Sequence, residues 1–501
     1  MKTSKALPVL LLSLALAASG ADTPAAPAVA LPAVKEVTLS NGMRFLLCRR
    51  GDAPVFCGTV GFRVGGVDDE AGSTGMAHMF EHMAFKGTRA IGARDWAAEK
   101  PVLERLEAVG EELTFLKSSG GDKDRILVLE REMKALEDSL RPLVLQNEFD
   151  RIYSEAGKAG LNAFTSQDWT CYHVNLPANR LELWALMESE RMRDPVMREF
   201  YKERDVVSEE RRMRTETSPS GQLWEHLLTT AYMAHPYGRP VIGWMSDIQG
   251  LTASRARAFR QAHYAPRNAV GVLVGDIDLD TTPALLERTF GRVPDGPASP
   301  PIPTVEPPQR GERRVEVAFD ASPRLLIAYH KPKAPDPDDT RAELLAGILG
   351  DGPTSRLHRR LVLKDRIAAG AGSWNGSPGA RYDNLFMLAV TPLQGHTAAE
   401  CEAAVYEELE RLAKEPVTDA ELARIQAKQE VAVLEEMSGN ESLARLLAGN
   451  QVLAGDWREA WNYLERMRKT TPADLQAFVR KHLVKENRTV ATLVTSKEAA
   501  K

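Results

Sequence analysis

Cysteine is scarce in this 501-residue chain, with four residues in all, and none has the Cys-x-x-Cys spacing of a structural zinc knot or a redox dithiol. A disulfide-stapled scaffold is thereby excluded. A surplus of positive charge is missing as well, since 64 Lys and Arg stand against 69 Asp and Glu for a formal charge of −5. With no basic run to displace counterions from a phosphate backbone, nucleic-acid binding is excluded as a function class. Aromatic residues make up only 6%, hydrophobic residues 43% and charged residues 27%. That composition is globular, with apolar mass for roughly two to four domains of ~100–200 residues.

Long apolar runs are confined to the N-terminus, where Lys2 and Lys5 precede Ala6–Ala18 and the small residues Ser19, Gly20 and Ala21. This order reads as an export signal cleaved near Gly20 or Ala21, because the run is shorter than the ~20 residues needed to cross hydrocarbon. A periplasmic or secreted protein is expected, with no membrane span after signal removal. In that oxidising setting Cys48 and Cys57 flank the Gly51-Asp52-Ala53-Pro54 turn at balanced distances. A bridge across a hairpin is one reading, and simple packing of both thiols is the other.

Beyond an Ala/Pro-rich lead-in at 22–34, apolar and polar residues alternate. Val37–Leu39, an Asn41-Gly42 turn, Met43–Cys48 and Val55–Val64 read as successive strands, so the first half is expected to open as a β-meander. Helical periodicity follows Gly75 through the His78 region, strand-like residues return over 162–175, and 180–216 is helical again. In between, Val102, Leu106, Val109, Leu113 and Leu116, then Leu129, Met133, Leu136, Leu140 and Leu143, recur at spacings of four and three around Ser118-Ser119-Gly120-Gly121. Two apolar stripes joined by a short polar loop predict an antiparallel helical hairpin at 97–148, since each stripe needs a partner to bury it. Its role stays open between a structural insertion and an arm that docks a partner or gates substrate.

Pro294, Pro297, Pro300, Pro301, Pro303, Pro307 and Pro308 mark a semi-rigid linker at 293–312. Past it, Val315–Phe319 and Leu325–His330 read as strands, followed by a helix near 341–349, a strand near 384–391 and helices over 398–482. The second half thus repeats the grammar of the first. An α+β chain of two similar halves is predicted, each an antiparallel-rich sheet packed with helices. The expected division is a signal peptide at 1–21, a metal-bearing domain at 35–292 and a non-catalytic domain at 313–501.

The sharpest signal is His78-Met79-Phe80-Glu81-His82. On a helix His78 and His82 share a face at i and i+4, where two imidazoles can reach one metal ion. Glu81 borders that face and can hold its carboxylate against a water instead of the metal. Two histidines fill only half of a tetrahedral shell, so a further ligand is required. Glu203 and Glu210 lie seven apart on a helical stretch, two turns along one face, so that one can bind metal while the other orients the shell. Glu209, adjacent to Glu210, leaves the register open.

With these segments the chain resembles the pitrilysin/insulinase (M16) family of zinc metallopeptidases, and most of all its short members that resemble the mitochondrial processing peptidase. His78 to Thr88 is similar to the family's motif helix and its exit, which implies His78 and His82 as ligands and Glu81 as general base. Glu203 to Glu210 resembles its second signature, which implies Glu210 as third ligand and Glu203 as its support. His82 and Glu210 stand farther apart than in the family pattern, an excess the hairpin accounts for. Asn162-Ala163-Phe164-Thr165 is similar to the family's edge strand, which implies main-chain binding of an extended peptide by Asn162, Ala163 and Phe164. Phe85 matches a position lining the pocket beyond the scissile bond, its other reading being a core aromatic. His235-Pro236-Tyr237-Gly238 reads as a turn, and Gly350–Leu357 resembles a shortened form of the family's glycine-rich loop, which faces the site from the second half.

The implied activity is hydrolysis of short or unfolded polypeptides by an exported zinc metalloendopeptidase with one Zn²⁺ per chain. Family members of this length pair, so a homodimer or a heterodimer with a related subunit is expected. Two other readings stand beside it: a non-catalytic or partner-dependent scaffold subunit of a two-chain peptidase, and a zinc hydrolase acting on small molecules.

Overall fold

The computed structural model describes residues 30–51 and 53–495, so the expected export signal and most of the lead-in lie outside the described residues. Strands β1 (Val34–Thr38), β2 (Arg44–Arg49), β3 (Val55–Phe62), β4 (Ala159–Thr165), β5 (Thr170–Pro177) and β6 (Ala269–Gly275) build one sheet in the order β1-β2-β6-β3-β5-β4. Every residue of β6 is buried, as expected of a central strand covered on both faces. It pairs parallel to β2 and antiparallel to β3. The expected meander is therefore corrected. Of the first three strands only β1 and β2 form a hairpin, and a strand from far along the chain separates β2 from β3. The separation also decides between the two readings of Cys48 and Cys57 in favour of packing, since both oppose Val274 from opposite sides of β6. Two strand spacings, ~9.6 Å, exceed the reach of a disulfide, and all four cysteines are free and buried.

The second sheet repeats the pattern. Strands β7 (Arg313–Phe319), β8 (Arg324–Lys331), β9 (Ala368–Ser377), β10 (Asn384–Pro392) and β11 (Arg488–Thr495) lie in the order β7-β11-β8-β10-β9. Again the last strand inserts between two successive strands, parallel to the earlier, β7, and antiparallel to the later, β8. In both sheets the strand at the far edge pairs on one side only, β4 in the first and β9 in the second. The α+β fold of two similar halves follows from this shared order.

The leucine stripes form the helical hairpin, Trp96–Ser119 and Lys123–Leu140. Leu103, Leu106, Val109, Leu113, Leu129 and Leu140 are buried along its seam, and Arg125 bonds Glu112 across it at 2.7 and 2.8 Å. Its inner face rests on the acidic helix Phe200–Arg211, where Gly110 lets the Tyr201 ring approach so closely that a Cβ would lie 2.1 Å from it. Buried Arg198 bonds Glu99 in the first turn of the hairpin's first helix.

The halves are tied by polar contacts as well as packing. The stretch at 294–310 carries no helix or strand, yet Glu306 within it accepts the amides of Met233, Ala234 and His235 at 2.8, 2.9 and 3.0 Å. A helix late in the chain, Asn440–Ala454, lies against β3 and β6 of the first sheet. Between β9 and β10 a loop docks on the first half through Arg381, which forks onto Asp68 at 2.8 and 3.2 Å.

Candidate metal centre

Met76, Ala77, Met79, Phe80 and Met83 are buried along the motif helix, Met76–Met83, and their packing turns Glu81, His78 and His82 toward a cleft. Asp69 fixes the start of this helix by accepting the amides of Gly75 and Ala77 at 2.7 and 2.9 Å, donors a helix end otherwise leaves unpaired. Across the cleft the acidic helix presents Glu203 and Glu210. His78 Nε2 lies 3.8 Å and His82 Nε2 3.6 Å from Glu210 Oε2. Donor atoms of the three residues fall within 4.8 Å of one another. Glu203 Oε2 sits 3.3 Å from His82 Nδ1, and its other oxygen accepts from Lys86, which also reaches Glu199 at 3.1 Å. Glu209 points outward, 62% exposed and paired with Arg212.

Burial and the charge on His82 hold His78 below its ordinary range, at about 4, so its ring is neutral near pH 7. Burial also opposes a charge on His82, but the carboxylates of Glu203 and Glu210 outweigh it and lift that ring to about 9. Hydrogen bonding from His82 holds Glu210 low. Glu203 falls to about 2 in spite of burial, because His82 and Lys86 both bond it. Burial pushes Glu81 up, opposed by the Thr165 hydroxyl, which donates to Oε2 at 2.6 Å.

The donor set fits zinc. Two imidazoles and one carboxylate leave a position free, as hydrolytic zinc sites do. Glu203 engages Nδ1 of His82 and leaves Nε2 to face Glu210, the arrangement that orients a metal-bound histidine. The buried Nδ1 of His78 has no hydrogen-bond partner, and its Nε2 stands 3.8 Å from Glu210, beyond hydrogen-bond length. A local excess of carboxylate draws a proton onto His82 where a cation can take its place.

The cleft has a volume of about 660 Å³. Asn162, Ala163, Phe164 and Thr165 of the edge strand β4 run along it beside the motif helix. Opposite stand Trp224 and Leu228 on the helix Pro219–Ala231, then Val241 and Ile242, with Pro378 contributed by the second half. Phe85 is placed elsewhere: its ring packs on Phe149, Tyr172 and the guanidinium of Arg191, among the core residues. The segment Gly350–Leu357 does not line the cleft either. Gly350 abuts the Ser373 backbone of β9. His235–Gly238 is a short turn whose Tyr237 hydroxyl donates to Asp168 at 2.6 Å. Arg214 and Pro378 were not singled out from the sequence, and Thr165 was read only as part of the edge strand. Arg214 had a signal, four residues after Glu210 on one helix face, whereas Pro378 had none.

Residues 250–429 match the family model for the Peptidase M16 inactive domain, a stretch that excludes the His78–His82 motif. Zinc protease PqqE of Helicobacter pylori is 28% identical over 83% of this chain and 83% of its own length. The crystal structure of a protease from the same organism superposes with a TM-score of 0.76 at 26% identity, covering 93% of this chain and all of that one. The periplasmic protease PqqL of Escherichia coli shares the fold at 18% identity and a TM-score of 0.69, with 94% of this chain covering 49% of it. No helix among the described residues is long and apolar enough to cross a membrane. Relatives named as zinc proteases thus align with most of this chain in sequence, a solved protease shares its fold, and the chain is similar to the peptidases of the M16 family.

Proposed function

We propose that the protein is an exported zinc metallopeptidase that hydrolyses peptide bonds in short or unfolded polypeptides, with His78, His82 and Glu210 holding one zinc and Glu81 as general base. The observation that carries this reading is the convergence of three donor atoms within 4.8 Å, beside a carboxylate that stays outside the trio. Zinc bound there would act as a Lewis acid on the scissile carbonyl and acidify a neighbouring water. Glu81 takes the proton of the attacking water and returns it to the leaving amine. Its raised proton affinity suits both transfers. Thr165 occupies Oε2 and leaves Oε1 for the water. Because β4 pairs only with β5, its outer edge offers unpaired backbone groups to an extended peptide.

In this reading 35–292 is the metal-bearing domain, and 313–501, which has no second His-x-x-Glu-His, serves as wall. The chain matches the first half of the E. coli periplasmic protease over 94% of each. That supports pairing with a second copy or a related subunit to complete the enclosure, and a periplasmic or secreted location. Glu81→Gln tests the assignment. The variant should keep its zinc and lose peptide cleavage, and full activity in the zinc-loaded variant would overturn it.

A further inference from the structure

Arg214 is the one Lys or Arg among the described residues that line the cleft. Three arginines follow Glu210 closely in sequence, and the structure uses them differently. Arg211 is buried, forks onto Glu225 at 2.9 and 3.1 Å and bonds the Gly243 carbonyl at 2.7 Å. Arg212 turns outward to Glu209. Arg214 lies in the π-helical turn Arg212–Glu216, which places it above the metal ligands. Its side chain is 71% exposed, and one nitrogen meets Glu210 Oε1 at 2.9 Å.

The anionic groups of the cleft have other partners. Glu225 is held by Arg211, Glu81 accepts from Thr165, and Glu210 faces two histidines. If Glu210 spends its charge on a divalent ion, as the proposed function requires, the guanidinium beside it is left under-compensated at the lip of the peptide channel. A planar, permanently charged fork in that position is suited to a carboxylate.

Resting on that reading, we propose that Arg214 is a carboxylate-binding subsite, so that the enzyme selects peptides presenting a carboxylate next to the scissile bond. Two sources supply this chemistry: an acidic side chain, or the substrate's own C-terminus. The apolar wall of Trp224, Leu228, Val241 and Ile242 leaves Arg214 as the charged determinant of choice on that side.

The test uses the full chain loaded with zinc and peptides matched except for Asp or Glu against Asn or Gln at each flanking position, and for a free against an amidated C-terminus. Wild type should favour one carboxylate arm roughly tenfold in kcat/KM, the scale of a single charge-assisted hydrogen bond. The arm identifies the source. Arg214→Gln should erase that ratio while cleavage of neutral peptides and zinc content stay within about twofold, and Arg214→Lys should restore part of it. The proposal is overturned if wild type shows no preference. It is equally overturned if Arg214→Gln slows acidic and neutral peptides in parallel or loses zinc, the signature of an arginine that only steers Glu210. The same ratio is read as peptide binding by fluorescence anisotropy in Glu81→Gln protein. Absence of cleavage therefore counts against the peptidase reading and leaves the subsite itself testable.

Discussion

Replacing Arg381 by Met removes the guanidinium that joins the second half to the first. Arg381 and Asp68 have side-chain exposures of 1% and 0%, and the fork onto Asp68 is reinforced by a bond to the Asp168 carbonyl at 3.2 Å. The variant leaves Asp68 as a buried carboxylate whose remaining partner is the Gly65 amide at 3.0 Å. Breaking a buried pair by deleting one member costs about 3–5 kcal/mol, because the survivor keeps its desolvation penalty. Unfolding entropy of roughly 2 cal/mol/K per residue gives on the order of 1 kcal/mol per kelvin for a chain of this size. Calorimetry should therefore show Tm falling by about 3–5 °C. Adding Asp68→Leu should recover at least half of the loss, since both charges are then gone. An unchanged Tm in Arg381→Met, or a double variant as unstable as the sum of the singles, would refute the reasoning.

Glu203→Gln should weaken zinc binding about 10–100-fold in chelator competition with folding intact, because His82 loses the carboxylate that orients it; unchanged affinity contradicts that role. Thr165→Val removes the hydroxyl that holds Glu81 down against burial. The acid limb of the kcat/KM profile should move to higher pH, and a limb that stays put or moves down counts against Glu81 as base. Arg356 forks onto Glu421 at 2.8 Å on each prong and holds its carboxyl at about 2. A depressed folded pKa contributes stability that is present above the ordinary carboxylate range and lost as pH falls toward that value. The Tm gap between wild type and Glu421→Gln should therefore be wider at pH ~7 than at pH ~3, and a gap independent of pH would be the contrary result.

Local periodicity carried much of the fold. The i and i+4 spacing of His78 and His82 anticipates a helix that turns both rings to one side, and the leucine spacing anticipates both helices of the hairpin. Long-range pairing was hidden. Nothing in Val55–Phe62 records that β6 slides in beside it, because a buried central strand reads as a plain apolar run whatever its neighbours. The symmetric placing of Cys48 and Cys57 about a turn left a bridge open beside packing for the same reason. Phe85 has the same local spacing in either role, and only the surrounding rings of Phe149 and Tyr172 decide for the core. Pro378 reaches the cleft from the second half, a juxtaposition made by the Arg381 anchor and not by any local pattern.

The account stands most directly on zinc counted per chain by native mass spectrometry, for wild type, His78→Ala and Glu210→Ala. One zinc on wild type and none retained by either variant after dialysis is the predicted result. Wild type that takes up no zinc, or variants that hold it as firmly as wild type, would contradict a centre built from these three residues.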